Sequence, residues 1–138
     1  MATDNERIAR RWFEEVWNTR REETVDELML PQAVGHMEGA DVRGPGDFKA
    51  ARRELLTAFP DMRVTVEDTV GDGDKVVVRW SAAGTHEGDA RGLTPTNSPV
   101  RFRGMTWLSI RHGKIVEGWD AWNQGKLVSE LQAGSSPG

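Results

Sequence analysis

The chain has 138 residues, 37% of them hydrophobic and 29% charged, and carries a net charge of −4. This length accommodates one domain with one core, and the mild negative charge argues against the clustered basic surface that a nucleic-acid partner requires. No cysteine is present, which excludes disulfides, thiolate zinc sites and cysteine nucleophiles. Because residues 1–6 are polar and no apolar run approaches the roughly 20 residues that span a bilayer, we expect a cytoplasmic protein that does not contact a membrane.

Helices are predicted at the start of the chain. Thr3 and Glu6 have the capping-box spacing, and an apolar stripe at helical spacing follows them, which predicts a helix over about residues 4–18. A second, short helix, whose apolar positions include Val25, stops before Pro31 because proline interrupts helices.

A brief strand and a third helix follow. Residues 33–37 have the pattern of a strand, and residues 44–47 form a predicted turn. The third helix presents apolar side chains from Phe48 to Phe59 and is ended by Pro60.

Beyond the third helix, the hydrophobic period changes to that of strands. Residues 62–66 alternate between apolar and polar, and residues 71–74 (Gly-Asp-Gly-Asp) predict a hairpin turn into a strand over 75–83. Residues 84–99 are rich in Gly, Thr, Asn and Pro. They are interpreted either as a long loop at a pocket mouth or as a strand with a bulge and an excursion.

A second hairpin and a last helix complete the chain. Strands are predicted over 101–110 and 114–122, joined by a turn at 111–113. A short helix over about residues 124–131 follows, and residues 134–138 are expected to be a flexible tail.

Helices followed by a meander of strands indicate an α+β fold rather than an alternating one. We expect a strongly curved, mostly antiparallel sheet to wrap onto the N-terminal helices and enclose a cone-shaped pocket. The first helix, the sheet and the last strand are its predicted walls. The pattern predicts a single domain over residues 1–133, with the tail after it.

Tryptophan is frequent in this chain, which has six tryptophans and no tyrosine. Tryptophan supplies a large, rigid apolar surface and one N–H donor, which suits hydrophobic cores and ligand pockets alike. Core packing explains any single tryptophan, whereas three of them between residues 107 and 122 favour a pocket. The candidates for the pocket wall are Trp12, Trp80, Trp107, Trp119 and Trp122.

Asp120 is the main candidate for chemistry. Strand alternation places four residues on one face of the last strand: Val116, Gly118, Asp120 and Trp122. A carboxyl group in such apolar surroundings is partly desolvated, which raises its pKa above about 3.9, toward the range of a general acid or base. Gly118 is expected to leave space for a ligand atom. The alternative is that this face is exposed to solvent, but Trp122 would then be exposed with it.

Two of the three histidines are further candidates. His112 lies in a predicted turn and is expected to be solvated, whereas His36 and His86 lie in segments that border the presumed pocket. Structural hydrogen bonding is one role for these two, and acid–base catalysis or substrate orientation is another. A metal site with Asp120 or Glu87 is not required by the spacing, and we predict no metal.

Several common sites are absent from the sequence. No glycine-rich phosphate loop follows a predicted strand, and no serine lies in a nucleophile elbow. Residues 71–74 lack the spacing to a late glutamate that a calcium loop needs.

Four short blocks follow one another along the chain: Ala-Phe-Pro-Asp at 58–61, Gly-Thr-His-Glu-Gly at 84–88, Pro-Thr at 95–96, and Gly-Lys-Ile-Val-Glu-Gly-Trp-Asp at 113–120. In order and spacing, these blocks resemble the SnoaL-like polyketide cyclase (ester cyclase) family of the NTF2-like superfamily. The resemblance implies a cone-shaped α+β barrel, usually dimeric, that uses no metal or organic cofactor.

The resemblance also implies a chemistry. In the characterised cyclases of that family, a pocket aspartate is the acid and base of an intramolecular aldol closure of a polyketide ester, and Asp120 matches its position. Many relatives have a second aspartate three residues later, where this chain has Asn123, and a pocket histidine at a strand position assigned here to Trp107. Some relatives instead assist the hydroxylation of polyketides. Neighbouring ketosteroid isomerases and epoxide hydrolases use a tyrosine, which this chain lacks.

The leading prediction is a cofactor-independent, cyclase-like or lyase enzyme that acts on a hydrophobic, carbonyl-bearing small molecule. Asp120 is the predicted general acid and base, while His36, His86 and Asn123 orient or polarise the substrate. The alternatives are a non-catalytic module that binds an apolar ligand in the same pocket or acts as a dimeric interaction domain, and a metal-dependent enzyme. The expected partners are the small molecule and a second copy of the chain.

Overall fold

The structure is a computed structural model that describes residues 3–89 and 94–135. Its helices are α1 (Asp4–Phe13), which continues as a π-helical segment (Glu14–Asn18), α2 (Glu23–Leu28), α3 (Gly44–Ala58) and α4 (Gln124–Ser135). Its strands are β1 (Met29–Met37), β2 (Ala40–Arg43), β3 (Arg63–Asp72), β4 (Lys75–Thr85), β5 (Pro99–Arg111) and β6 (Lys114–Trp122). The predicted α+β class is confirmed.

The first helix begins with the capping box that its sequence predicts. The Glu6 backbone N–H donates to Thr3 Oγ1 over 3.1 Å, and the Thr3 N–H donates to Glu6 Oε2 over 2.6 Å. The helix ends in its π-helical segment at Asn18, whose side-chain amide exchanges two hydrogen bonds with the backbone of Val64 at 2.7 and 2.8 Å. These bonds fix the end of the helix to β3.

The second helix ends earlier than predicted, at Leu28, and the first strand is longer. Met29 already belongs to β1, which continues through Pro31. Proline is tolerated here because β1 pairs with β6 at Met29 and again from Val34, and the register is broken between them. Strand β2, which the sequence analysis missed, pairs with β1 through a tight turn. The predicted turn at 44–47 is the first turn of α3.

The six strands form one mixed sheet in the order β2-β1-β6-β5-β4-β3. The pairing between β1 and β6 is parallel and the other four are antiparallel, which agrees with the predicted mostly antiparallel sheet. Strands β2 and β3 remain as its two edges within the part of the chain that the structure describes. The expected barrel is therefore an open curved sheet rather than a closed one.

The predicted hairpin of β5 and β6 is present, with a bulge that the sequence did not reveal. Ile110 pairs with Ile115, whereas the next pair is Ser109 with Glu117, so Val116 has no direct partner. As a result, Ile115 rather than Val116 is buried, and the expected common face of Val116 with Gly118 is wrong. Residues beyond the bulge keep the predicted alternation.

Residues 84–99 contain a loop rather than a bulged strand. Strand β4 ends at Thr85 and β5 begins at Pro99. Backbone hydrogen bonds of His86 with Ser98 (3.0 Å) and Asn97 (2.8 Å) close the base of this loop. Residues 90–93 of it lie outside the described residues.

The last helix is longer than predicted. Helix α4 runs to Ser135, beyond the expected end at 131 and into the expected tail, of which residues 136–138 lie outside the described part of the chain. None of the described helices combines the length and apolar character needed to cross a membrane.

Helices α1 and α3 cover different parts of one face of the sheet. Helix α1 packs against β3 and β4, and α3 packs against β1 and β2. The core lies between these helices and the sheet, which we call the inner face. The central strands β5 and β6 are left between the two helices, and this gap positions the site described next.

Candidate active site

A cavity of about 110 Å³ lies on the inner face of the sheet, above β5 and β6. The residues around it are almost all apolar, and α1, α3 and all six strands contribute them. The polar residues that border it are His36, Thr106 and Asp120. An apolar cavity with few polar groups is the usual form of a small-molecule site.

Asp120 reaches this cavity from the middle of β6. The register of the hairpin places Thr106 of β5 directly opposite it. Thr106 Oγ1 donates a hydrogen bond of 2.6 Å to Asp120 Oδ1, and it accepts one of 3.0 Å from Trp80 Nε1. Because an indole N–H can only donate, the single hydroxyl proton of Thr106 is directed at the carboxylate. The other carboxylate oxygen, Oδ2, has no hydrogen-bond partner among the described residues.

The surroundings of Asp120 change its acidity. Burial raises the pKa of the Asp120 carboxyl above its usual value, because the apolar cavity disfavours the charged form. The hydrogen bond from Thr106 opposes this rise in pKa, and the negative charge of Glu38 adds to it. The pKa therefore moves in the direction that the sequence analysis expected, toward that of a group that can both give and take a proton.

Two glycines shape the site. A Cβ at Gly104 would lie 2.7 Å from Trp80 Cζ2, so the missing side chain is what lets the indole of Trp80 reach Thr106. A Cβ at Gly118 would lie 3.2 Å from Leu108 Cδ2. The space expected beside Gly118 for a ligand is therefore partly filled by Leu108.

Three of the five predicted wall tryptophans line the cavity, together with one that was not predicted. Trp12, Trp80 and Trp122 border it, and so does Trp17. Trp80 also packs edge-on against Trp122, with ring centroids 6.4 Å apart. Phe102, another residue that the sequence analysis missed, packs against both of these rings.

Trp107 and Trp119 do not line the cavity. They pair with each other across β5 and β6 on the opposite, outer face of the sheet, where they are 45% and 41% exposed. Strand alternation directs them there, because their neighbours Thr106 and Asp120 point inward. The pocket residue opposite Asp120 is thus Thr106, and the assignment of Trp107 to a pocket position is corrected.

His36 borders the cavity, but its ring lies on the outer face of the sheet beside Trp119, its partner in register on β6, and carboxylates engage both ring nitrogens. Nδ1 lies 3.0 Å from Asp41 Oδ1, Nε2 lies 2.7 Å from Glu117 Oε2, and the ring stacks on Trp119 at 5.3 Å. These hydrogen bonds raise the pKa of His36, that with Glu117 most. The ring thus joins β2, β1 and β6 instead of presenting a free nitrogen to the cavity.

His86 and Asn123 are not among the residues that line the cavity. His86 is fully buried next to Phe59, and its Nδ1 lies 3.0 Å from Thr96 Oγ1. Its Nε2 has no hydrogen-bond partner among the described residues. Asn123 Oδ1 accepts the backbone N–H of Lys126 over 2.9 Å, which caps the start of α4. Within residues 3–89 and 94–135, no three His, Asp or Glu side chains are arranged to hold a metal ion.

Comparison with known proteins agrees with this architecture. The family model for SnoaL-like polyketide cyclases matches residues 7–131. The chain belongs to this family. No curated protein matches the chain.

Solved structures of SnoaL-like proteins have the same fold. IdmH of Streptomyces antibioticus, a proposed polyketide cyclase, is 28% identical with a TM-score of 0.82, over 94% of this chain and 99% of its own. AclR of Streptomyces galilaeus, a proposed hydroxylase, is 25% identical with a TM-score of 0.83, over 94% and 96%. A proposed SnoaL-like polyketide cyclase of Jannaschia sp. CCS1 is 25% identical with a TM-score of 0.85, over 97% and 93%. The predicted NTF2-like fold and the family resemblance are confirmed.

Proposed function

We propose that the chain is a cyclase-like enzyme in which Asp120 is the general acid and base for a hydrophobic, carbonyl-bearing small molecule. The observation that carries this proposal is the position of the Asp120 carboxyl, which reaches an apolar cavity and is held at one oxygen by Thr106. The membership of the SnoaL-like family supports it, because members of that family are named as polyketide cyclases.

The proposed reaction is an intramolecular aldol closure. The Asp120 carboxylate takes a proton from a carbon between two carbonyl groups, and the charge left behind spreads over the resulting enolate. The enolate carbon then forms a bond to a second carbonyl carbon of the same molecule. The oxygen of that carbonyl takes the proton back from Asp120 and becomes a hydroxyl group, which returns the carboxylate to its starting form. Each step moves only a proton or an electron pair within the substrate and Asp120, so the proposal involves no metal or organic cofactor.

The environment of Asp120 suits both halves of this cycle. A raised pKa makes the carboxylate a stronger base toward carbon, and it also makes the protonated form easier to keep until the second step. Thr106 holds Oδ1, which leaves Oδ2 to exchange the proton with the substrate.

The proton transfer can be tested without the natural substrate. Wild-type protein and Asp120→Asn are incubated with ethyl acetoacetate in heavy water, and deuterium uptake at the carbon between the carbonyls is followed by NMR. We expect wild-type protein to accelerate the uptake and Asp120→Asn to lower this acceleration by about 100-fold or more, the usual contribution of a general base. Asp72→Asn, an exposed carboxyl at the end of β3, is the matched control and should keep the wild-type rate. Equal rates for Asp120→Asn and wild type would show that Asp120 is not the base.

A second function is supported by the likeness to AclR, a proposed hydroxylase. In that case, Asp120 would perform the same first proton transfer, which changes no oxidation state, and its contribution would end with the enolate. A third possibility, a module that only binds a ligand, predicts ligand binding without any Asp120-dependent deuterium uptake. The exchange experiment therefore separates the binding module from both enzymes.

A further inference from the structure

A second cavity, of about 210 Å³, lies between α3, α4 and the turn that joins β1 to β2. Its deepest side chains are apolar and well buried: Phe59 is 1% exposed, Leu127 5% and Leu131 2%. Helix α4 covers it, and that helix starts directly after β6, the strand that carries Asp120. The function proposed above makes no use of this space.

The second cavity lies directly beside the first. Four residues border both of them: Met37, Val42, Leu55 and Trp122. Trp122 follows Asp120 by two residues on the same face of β6, so the shared wall lies next to the reactive carboxyl. All four of these side chains are apolar, so a ligand that passes between them into the second cavity stays in apolar surroundings.

The charges around the second cavity are negative. The side chains of Glu38 and Glu54 border it, and no lysine, arginine or histidine does among the described residues. The negative charge of Glu38 also raises the pKa of Asp120. A carboxylate in this region would be repelled, whereas an uncharged or cationic group would not.

We propose that the two cavities form one elongated substrate site, in which the carbonyl-bearing part lies at Asp120 and an uncharged or cationic apolar tail lies under α4. This inference rests on the proposed function for the identity of the reacting end. It adds that the substrate has a second, non-reacting part and that a free carboxylate at the end of this part weakens binding.

The length of the tail is tested by binding of alkyl acetoacetates from ethyl to octyl, measured through the fluorescence of the wall tryptophans. In wild-type protein, affinity should rise by about fourfold for each added methylene until the second cavity is full. Ala51→Leu narrows the second cavity only and should weaken the octyl ester by roughly tenfold or more, the effect of displacing two methylenes, with little change for the ethyl ester. Ala50→Leu, an exposed neighbour on the same helix, is the control and should leave all affinities unchanged.

The charge of the tail is tested with an acetoacetate ester whose alkyl chain ends in a carboxylate. Wild-type protein should bind it more weakly than the uncharged ester of equal length, and Glu54→Gln should recover part of the loss, whereas Glu87→Gln, in the exposed loop, should not. An affinity that does not depend on tail length, or an Ala51→Leu variant that weakens short and long esters equally, would overturn the elongated site. Because these experiments measure binding, a negative result would reject the elongated site even if deuterium uptake depends on Asp120. A positive result would support the elongated site even if deuterium uptake does not depend on Asp120.

Discussion

At the scale of single residues, the hydroxyl of Thr106 decides how Asp120 is held. It accepts a hydrogen bond from Trp80 and donates one to Asp120. The three side chains therefore form a short series of hydrogen bonds in which each donor points toward Asp120. Trp80 and Thr106 are buried, at 7% and 6% exposure, and water is therefore a poor substitute for either partner. This arrangement positions Oδ1 and tunes the acidity of the carboxyl at the same time.

Replacing Thr106 by valine should raise the pKa of Asp120 further, because the hydrogen bond that opposes the effect of burial is lost. Deuterium uptake needs the ionised carboxylate of Asp120. In a plot of the uptake rate against pH, the rise in rate should therefore shift to higher pH. The orphaned indole N–H of Trp80 should also lower the free energy of unfolding by about 1–3 kcal/mol. Thr106→Ser keeps the hydroxyl and should resemble wild type in both the rate profile and urea unfolding. A profile that does not move in Thr106→Val would show that the hydrogen bond does not control Asp120.

At the scale of elements, His36 joins three strands on one side of the sheet. Its ring nitrogens contact Asp41 of β2 and Glu117 of β6, while His36 itself belongs to β1. Strand β2 is a short edge strand and its only neighbour in the sheet order is β1, so the contact with Asp41 adds a side-chain link to the backbone ladder.

This link should depend on pH. The pKa of His36 is raised above its ordinary value in the folded protein, so its protonated form stabilises the fold. The contribution is complete below the unfolded-state pKa of about 6.5 and is lost as the pH rises through the folded-state value. The difference in free energy of unfolding between wild type and His36→Gln should therefore be larger at about pH 6 than at about pH 9.

The control for this pH dependence is His112→Asn. It removes an imidazole from the exposed turn between β5 and β6, where the positive φ of 51° suits asparagine. Urea unfolding at both pH values should show no pH-dependent difference between this variant and wild type. If His36→Gln behaved in the same way, the link would have no role in stability.

At the scale of the whole molecule, the outer face of the sheet carries an apolar surface. The large hydrophobic side chains with the highest exposure are Val70 (65%), Met105 (53%), Trp107 (45%) and Trp119 (41%). They lie on β3, β5 and β6. Trp107 pairs directly with Trp119, and the half-buried Val77 of β4 pairs with both Val70 and Trp107. Contiguous exposed apolar surface of this kind is typical of an interface.

We therefore propose that two copies of the chain associate through this outer face. Analytical ultracentrifugation should show a dimer for wild type and a monomer for Trp107→Glu, because a charge in the middle of the apolar surface opposes its burial. Ser129→Glu, which adds the same charge on the exposed side of α4, should remain dimeric. Circular dichroism checks that both variants are folded. A monomeric wild type, or a dimeric Trp107→Glu variant, would contradict this interface.

Local patterns in the sequence predicted the large elements of the fold and missed features that depend on strand pairing. Apolar periodicity predicted α1, α3 and the two large hairpins, because the burial of one face imposes its period on the sequence. It missed β2, which has four residues and too few positions for a period, and the start of β1, where Pro31 argued against a strand. Neither of those features depends on local residue preferences. Both depend on pairing with a strand that is distant in sequence.

In the candidate site too, a local pattern predicted one residue, Asp120, and missed its partner on the neighbouring strand, Thr106. Asp120 was predicted from its neighbours on one strand, and this depended on alternation alone. Thr106 was missed because the pairing at the turn, Arg111 with Lys114, would by itself place Met105 opposite Asp120. The bulge at Val116 moves the register by one residue, and a shift of one residue exchanges the two faces of a strand.

By itself, the sequence determined the α+β class, the family, the order of the main elements and the strand that carries Asp120. Those properties follow from local patterns, in which each residue is interpreted together with its neighbours in the chain. Only the tertiary structure decided which face of the sheet each tryptophan occupies, that His36 contacts two carboxylates, that Asn123 caps a helix, and that two cavities share a wall. These properties depend on strand register and helix packing, which bring together residues as far apart as Trp80 and Asp120 and leave no periodic signal in the sequence.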